Sequence, residues 1–232
     1  MSADDNKPFD PFELAAAILL GIGAIGTAVA GHQSGLWGGQ SVEAYGEAAA
    51  LTTKASSTYN DELTTYMQDT QVDIRAKELI WEGSESEDDA AGERQLGMAS
   101  WMLITQTSDA AYKFLGLPEA KRKAYWEGDS EVVLSSEELD KALEIDLDDD
   151  YVQEVFGSSD DEFEAADKRF NEGRDANNKG DQFSLAGVIL TVALFFAGIS
   201  LIFKTGMRWV FLGMGALVLA GGLGFMATLS WA

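Results

Sequence analysis

Cysteine is absent from the 232 residues, and histidine occurs once, at His32. The first absence removes disulfides, thiolate metal sites and cysteine nucleophiles. The second leaves few bases for group-transfer chemistry, and His32 has no serine partner at motif spacing. Basic residues are also scarce, 16 Lys and Arg against 39 Asp and Glu, for a formal net charge of −23. The one basic run, KRK at Lys121–Lys123, balances neighbouring acids, so no basic, aromatic nucleic-acid surface is expected. Carboxylate pairs occur throughout, and no single pair stands out as an acid and base. No cofactor and no enzymatic activity are expected from these residues. No internal repeat of 20–50 residues is present, and EVVL (131–134) is the sole strand-like run.

What is present is divided sharply. There is no charge between Asp181 and Lys204 and none from Arg208 to Ala232, while His32 is the only titratable side chain between Glu13 and Glu43. Each of these three runs meets the length of about 18 apolar residues expected of a membrane-spanning helix. The spans are placed at 14–31, 183–203 and 209–230, preceded by an acidic segment 1–13 and joined at the last pair by a short basic turn, 204–208. Phe9, Phe12, Trp37, Trp209 and Trp231 fall near the expected interfaces, where amphipathic rings sit at headgroup level. The N-terminal segment is acidic, with Lys7 its one basic residue, which argues for an uncleaved span instead of a signal peptide. Lys204 and Arg208 favour a cytoplasmic turn; this puts the N-terminus in the cytoplasm and the acidic middle outside the cell membrane.

Within the first run, GIGAIG (21–26) has the form of a dinucleotide-binding fingerprint. Such a fingerprint needs a preceding strand, a following helix and an acid about 20 residues on; here AAAILL precedes it, and Glu43 lies beyond the glycines Gly35, Gly38 and Gly39, which read as a break in the helix. Small residues instead recur at Ala17, Gly21, Ala24, Ala28 and Gly31, and again at Gly213, Ala216, Ala220, Gly224 and Ala227. That spacing makes one helix face where a neighbouring backbone approaches closely, the small-residue logic of membrane helix packing.

Residues 32–182 hold 35 acids against 13 bases. Such a region repels itself in dilute buffer and is relieved at molar salt, where the Debye length is about 3 Å. It reads as a salt-adapted, solvated surface, with a multivalent cation site as the sharper alternative. DLDDDY (146–151) has acids at calcium-loop spacing, but Tyr151 holds the required glycine position and Gly157 the bidentate one, so that match fails. The periodicity of the middle is helical: about Val42 to Trp81, then Glu93–Thr105, Glu119–Trp126, Glu137–Ile145, and a last helix running into the second span. Ser159 and Glu162 form a capping-box pattern for that last start, Leu117-Pro118 reads as a start and Gly128 as a stop. The fold class is therefore an all-α membrane protein, three transmembrane helices with a mainly helical acidic domain between the first two.

Two segments carry a resemblance. GHQSGLWGGQSVEAYGEAAALTTKAS (31–56) and DANNKGDQFSLAGVILTVALFFAGIS (175–200) resemble a broad family of uncharacterised prokaryotic three-span membrane proteins with a LFFAGIS-type second span. The middle departs from that family in its acidity and lack of a Pro-rich segment, and Thr52 stands where relatives often carry Arg. The resemblance implies three-span topology and, with the acidity, a haloarchaeal member; the family has no established activity.

The remaining candidate site is a polar ring at the outer membrane face: His32, Gln33, Trp37, Gln40 and Tyr45 after the first span, Asn177 and Asp181 before the second. It reads either as a ligand or ion layer or as interfacial anchoring. The function expected is a non-enzymatic, homo-oligomeric scaffold or interaction protein in a lipid bilayer, with monovalent or divalent cations at its acidic surface. The alternative is a subunit of an oligomeric channel or transport component, and a lipid-acting enzyme is a more distant third.

Overall fold

The computed structural model describes residues 10–204 and 206–232. The N-terminal segment with Lys7 and Phe9, and Thr205 of the basic turn, lie outside the described residues. Among the described residues there are seven helices and no strand: α1 (Pro11–Ser84), α2 (Asp89–Gln106), α3 (Asp109–Phe114), α4 (Glu119–Trp126), α5 (Ser136–Glu144), α6 (Asp149–Ser200) and α7 (Met207–Ala227). Stretches of α1, α6 and α7 are long and apolar enough to cross a membrane. The chain divides into two compact units, one of residues 10–49 with 167–232 among those described, the other of residues 50–166. Residues 32–49 and 167–182, grouped with the acidic middle by charge, cluster with the apolar helices.

In the first unit α1 and α6 run antiparallel. Gly23 lies against Leu194, Gly26 against Leu190, Gly180 against Trp37 and Gly173 against Tyr45, so positions rise on one helix as they fall on the other. α7 closes the bundle: of its buried positions, Leu212, Gly215, Leu219 and Gly222 pack in the cluster of Leu190, Ala193 and Ala197 of α6 with Ala16 and Leu19 of α1, and Met226 packs with Ala30, Trp37, Phe183 and Ala186. A Cβ on Gly222 would come 2.9 Å from Leu190 Cδ2, and one on Gly215 3.2 Å from the Ala193 carbonyl oxygen. These glycines let backbones approach in a setting where packing, not water, drives helix association. At one end Trp209 packs edge-on against Phe12 at 5.1 Å, and Arg208 lies over the Phe12 ring while pairing with Asp10 at 3.1 Å.

The expected break at Gly35, Gly38 and Gly39 is absent, for α1 passes through all three. Each glycine costs a helix about 1 kcal/mol relative to alanine, and tertiary packing outweighs it: Trp37 is buried there, and Gly180 approaches the Ser34 carbonyl to within 3.3 Å of a Cβ position. α6 ends at Ser200 and α7 at Ala227, short of the expected limits at 203 and 230.

The second unit is a helical core around Ile80, Leu103, Ile104, Tyr112, Leu115 and Leu139, all 3% exposed or less. Burial of each such side chain contributes about 2 kcal/mol. α1 and α2 form a hairpin whose crossing is set by two glycines, since a Cβ on Gly92 would stand 2.8 Å from the Gly83 carbonyl oxygen. Short helices are held by their caps. Asp88 accepts from the Ala90 and Ala91 amides, Ser108 from Ala111, and Ser135 with Glu138 forms a full capping box. Gly128 ends the α4 turn at φ +109°, a backbone conformation that suits glycine. The capping-box reading of Ser159 and Glu162 is corrected. α6 is already running from Asp149, the Ser159 hydroxyl donates back to the Phe156 carbonyl, and Glu162 pairs with Lys54 at 2.7 Å. EVVL is also corrected: it forms no strand, and the Leu134 amide donates to Ser100 Oγ at 2.6 Å in place of a ladder partner. α3 was not foreseen, because six residues are too few to show a period.

Candidate functional site

The polar ring does not close as one site. In the first unit, α1 and α6 flank a cleft of about 440 Å³ lined by Trp37, Gln40, Glu43, Glu47, Arg169, Glu172, Asp175 and Lys179. Of the expected residues it holds Trp37 and Gln40. The indole is buried and used on two sides: its Nε1–H donates to the Ser230 carbonyl at 3.0 Å, and the Lys179 ammonium lies 4.3 Å above the ring centroid. Such a cation over a tryptophan face contributes about 1 kcal/mol. Gln33 accepts from the Ala232 amide at 3.0 Å, and Trp231 packs edge-on against the fully buried Phe183. Gln33 and Trp37 therefore fasten residues 230–232 to α1.

The other expected residues go elsewhere. Tyr45 lies flat on Gly173, where a Cβ would meet its ring at 2.9 Å, and tilts against Phe170 at 5.2 Å. Asn177 donates to Asp181 at 3.2 Å along one exposed face of α6. His32 is exposed. The small residues also separate. Gly21, Ala24, Ala28, Gly31, Gly213, Ala216, Ala220 and Gly224 are all exposed, and Cβ atoms on Gly21, Gly31, Gly213 and Gly224 would meet nothing within 4 Å. The bundle is closed by the neighbouring face, so Gly21 of GIGAIG points outward while Gly23 and Gly26 pack inward.

Sequence reasoning missed the charged lining of the cleft. Arg169 pairs with Glu47 across the helices at 2.8 Å and with Glu172 along α6 at 2.7 Å. The Glu172 hydrogen bond, with Glu47 beside it, lifts the guanidinium above its usual value. The spacing of Glu43 with Glu47 and of Arg169 with Glu172 marked one helix face each; which faces meet depended on the α1–α6 register. The cleft is lined by four carboxylates and two cations, and its Arg169–Glu47 pair joins α1 to α6. Among the described residues no group of three His, Cys, Asp or Glu is placed to hold a metal ion, and this includes DLDDDY.

A second polar cluster lies inside the other unit. Asp69, fully buried, accepts from the Ser108 amide at 2.6 Å and from the Tyr151 hydroxyl. Arg122 donates to the Thr107 and Ser108 carbonyls and lies over the Tyr112 ring. Lys77 bridges Asp73 at 3.1 Å, Asp146 at 2.8 Å and the Ile145 carbonyl at 2.7 Å. These contacts tie α1 to the loops before α3 and α6 and leave one buried oxygen of the cluster, Asp73 Oδ1, without a hydrogen-bond partner.

The architecture is thus that of an all-helical protein with three helices long and apolar enough to cross a membrane. No family model, curated protein or solved structure matches the chain.

Proposed function

We propose that this chain is a non-enzymatic, homo-oligomeric scaffold of the cell membrane. In this reading it is multi-pass, with the N-terminus in the cytoplasm and a salt-adapted acidic domain outside. The observation that carries the reading is the outward placement of the small residues on α1 and α7. Lipid tails are as apolar as leucine, so helices associate in a bilayer by close van der Waals contact, for which glycine and alanine faces are suited. A bundle that keeps one small-residue set for itself and leaves two others open is built to meet further helices. The acidic domain, with 29 acids and 9 bases in residues 50–166, supports a surface that works under strong screening with bound monovalent cations. Lys204 and Arg208 beside the α6–α7 turn support the orientation, and the acidity, 39 acids against 16 bases, supports a haloarchaeal source.

The test is the molar mass of the detergent-solubilised protein in multimolar KCl, by light scattering with the detergent subtracted. A defined multiple of 25.0 kDa is expected; a mass of one chain overturns the oligomeric reading. A stepwise conductance in planar bilayers would replace the scaffold with the channel reading. An impermeant thiol label on Ser136→Cys, in this cysteine-free chain, reads out the side: labelling of intact cells is expected, and protection overturns the orientation.

A further inference from the structure

We propose that Asp73 and Thr70 of α1 hold a monovalent cation beneath residues 145–151. Asp73 is 6% exposed; its Oδ2 pairs with Lys77, and its Oδ1 has no hydrogen-bond partner. Thr70 Oγ1 is likewise buried and without a hydrogen-bond partner. Tyr66, Thr70, Asp73 and Lys77 follow at intervals of four, three and four, so they share one edge of α1. Residues 145–151 are fixed over that edge at both ends. Lys77 donates to the Ile145 carbonyl at 2.7 Å, and the Tyr151 ring stacks on Tyr66 with centroids 6.2 Å apart. Tyr151, itself fully buried, also donates to Asp69. Thr70 and Asp73 lie between these two fastenings, on the covered edge.

The charge of the cluster selects a cation over a neutral occupant. Asp69, Asp73 and Asp146 share one ammonium, that of Lys77, and the groups that meet Asp69, the Ser108 amide and the Tyr151 hydroxyl, are neutral. Buried charges are paired or coordinate metals, and a buried carboxylate oxygen left bare is costly. A water would donate to Asp73 Oδ1 but cancel no charge. One carboxylate oxygen and one hydroxyl suit an ion of single charge, whereas calcium loops draw on several carboxylates. Among the described residues no group of three acids is placed for such an ion. Burial holds the Asp73 carboxyl above its usual range, so a proton competes for the same oxygen on acidification. DLDDDY (146–151), whose acids fail the calcium pattern, is then the cover of a site whose ligands come from α1. The site does not depend on the oligomeric state.

Hydrogen exchange in residues 145–152 of the full chain in detergent reads the site locally, because the Asp148 and Val152 amides donate to the Asp146 and Asp148 carbonyls. Exchange is compared in multimolar KCl, NaCl and choline chloride at equal ionic strength and neutral pH; choline screens charge but is too large for a buried site. Exchange is expected to be about tenfold slower in KCl, NaCl or both than in choline chloride, since an ion bound only to the closed form stabilises it. Thr70→Val, which keeps the side-chain shape, and Asp73→Asn should each bring that ratio to one. The exposed Asp140→Asn should keep it. Thr70 takes no part in the Lys77 bridge, so its variant tests the site with that bridge intact. Equal exchange of the unaltered chain in all three salts overturns the cation and leaves the two oxygens to a water or a proton. A ratio that survives in both Thr70→Val and Asp73→Asn places the ion on the acidic surface and overturns the site.

Discussion

Lys77 shows how one side chain can join three segments. Burial works against its charge, but the hydrogen bonds to Asp146 and Asp73 prevail and its pKa lies above the usual lysine value. Asp73 is pushed up by burial, which Lys77 offsets only in part, while exposed Asp146 is held down by its bond from Lys77. The lysine's raised value gives stability that is full below its unfolded pKa and lost as pH rises through the folded one. The lowered value of Asp146 gives stability present above its unfolded pKa and lost as pH falls through the folded one. Asp73, raised, carries a penalty that relaxes on acidification. Lys77→Met leaves the Asp73 carboxylate buried without its cation and is expected to cost about 3 kcal/mol at pH 7. Thermal unfolding followed by circular dichroism should show a smaller loss at acidic pH than at pH 7, because Asp73, raised by burial, takes up a proton on acidification. An equal loss at both pH values would contradict this account. Tyrosines offer an alkaline counterpart. Burial first, with Glu138 adding and Arg122 opposing, pushes Tyr112 up to about 12, and burial with the Asp69 hydrogen bond raises Tyr151. The unfolded chain then releases these protons first, so stability falls as pH rises past about 10. Ultraviolet titration should show Tyr112 and Tyr151 ionising late, and Tyr112→Phe and Tyr151→Phe should each remove one late step.

Among the elements, helix faces decide the outcome. On α7, Gly215 and Gly213 are two residues apart, yet one packs on the α6 backbone and the other meets nothing within 4 Å. Gly215→Val is expected to destabilise the monomer by about 2 kcal/mol through overpacking, lowering its melting temperature in detergent. Gly213→Val should leave the melting temperature of the monomeric form unchanged and lower the mass found by light scattering. Equal effects on both quantities by both variants would deny that the two faces have different roles. The same logic applies to Gly92→Ala at the α1–α2 crossing, where the contact is backbone and cannot rotate away. Helix existence was legible in periodicity: the expected limits of α4 are the observed ones, and α5 runs Ser136–Glu144 against an expected Glu137–Ile145. Two local signals gave way to packing. The glycines at 35, 38 and 39 were overridden by the α6 contact, and the Ser159 pattern by a helix that had begun ten residues earlier.

For the molecule as a whole, charge is the dominant variable. A formal charge of −23 produces self-repulsion that salt removes. Melting temperature is therefore expected to rise between about 0.1 M and 3 M KCl, as the Debye length shrinks from about 10 Å toward 3 Å or less. A melting temperature that stays level across that range would remove the support for a salt-adapted surface. The candidate site is where sequence was least informative. His32, Gln33, Trp37 and Gln40 fall within nine residues, but a helix sends successive side chains about 100° apart, so proximity in sequence dispersed them. The charged lining of the cleft came instead from pairs such as Glu47 and Arg169, 122 positions apart.

Sequence alone determined what each segment is: which stretches are apolar enough to cross a membrane, which are acidic, where most helices lie, and which chemistries the lack of cysteine removes. These are sums over neighbouring residues, so they need no knowledge of a partner. Tertiary structure alone decided which face of each helix turns inward. Gly23 and Gly26 pack while Gly21 does not, and Trp37 meets Ser230 and Lys179, because the register of α1 on α6 and α7 is fixed by contacts between residues far apart in the chain. A helical period repeats on every face, and only the fit of one helix against another selects among them.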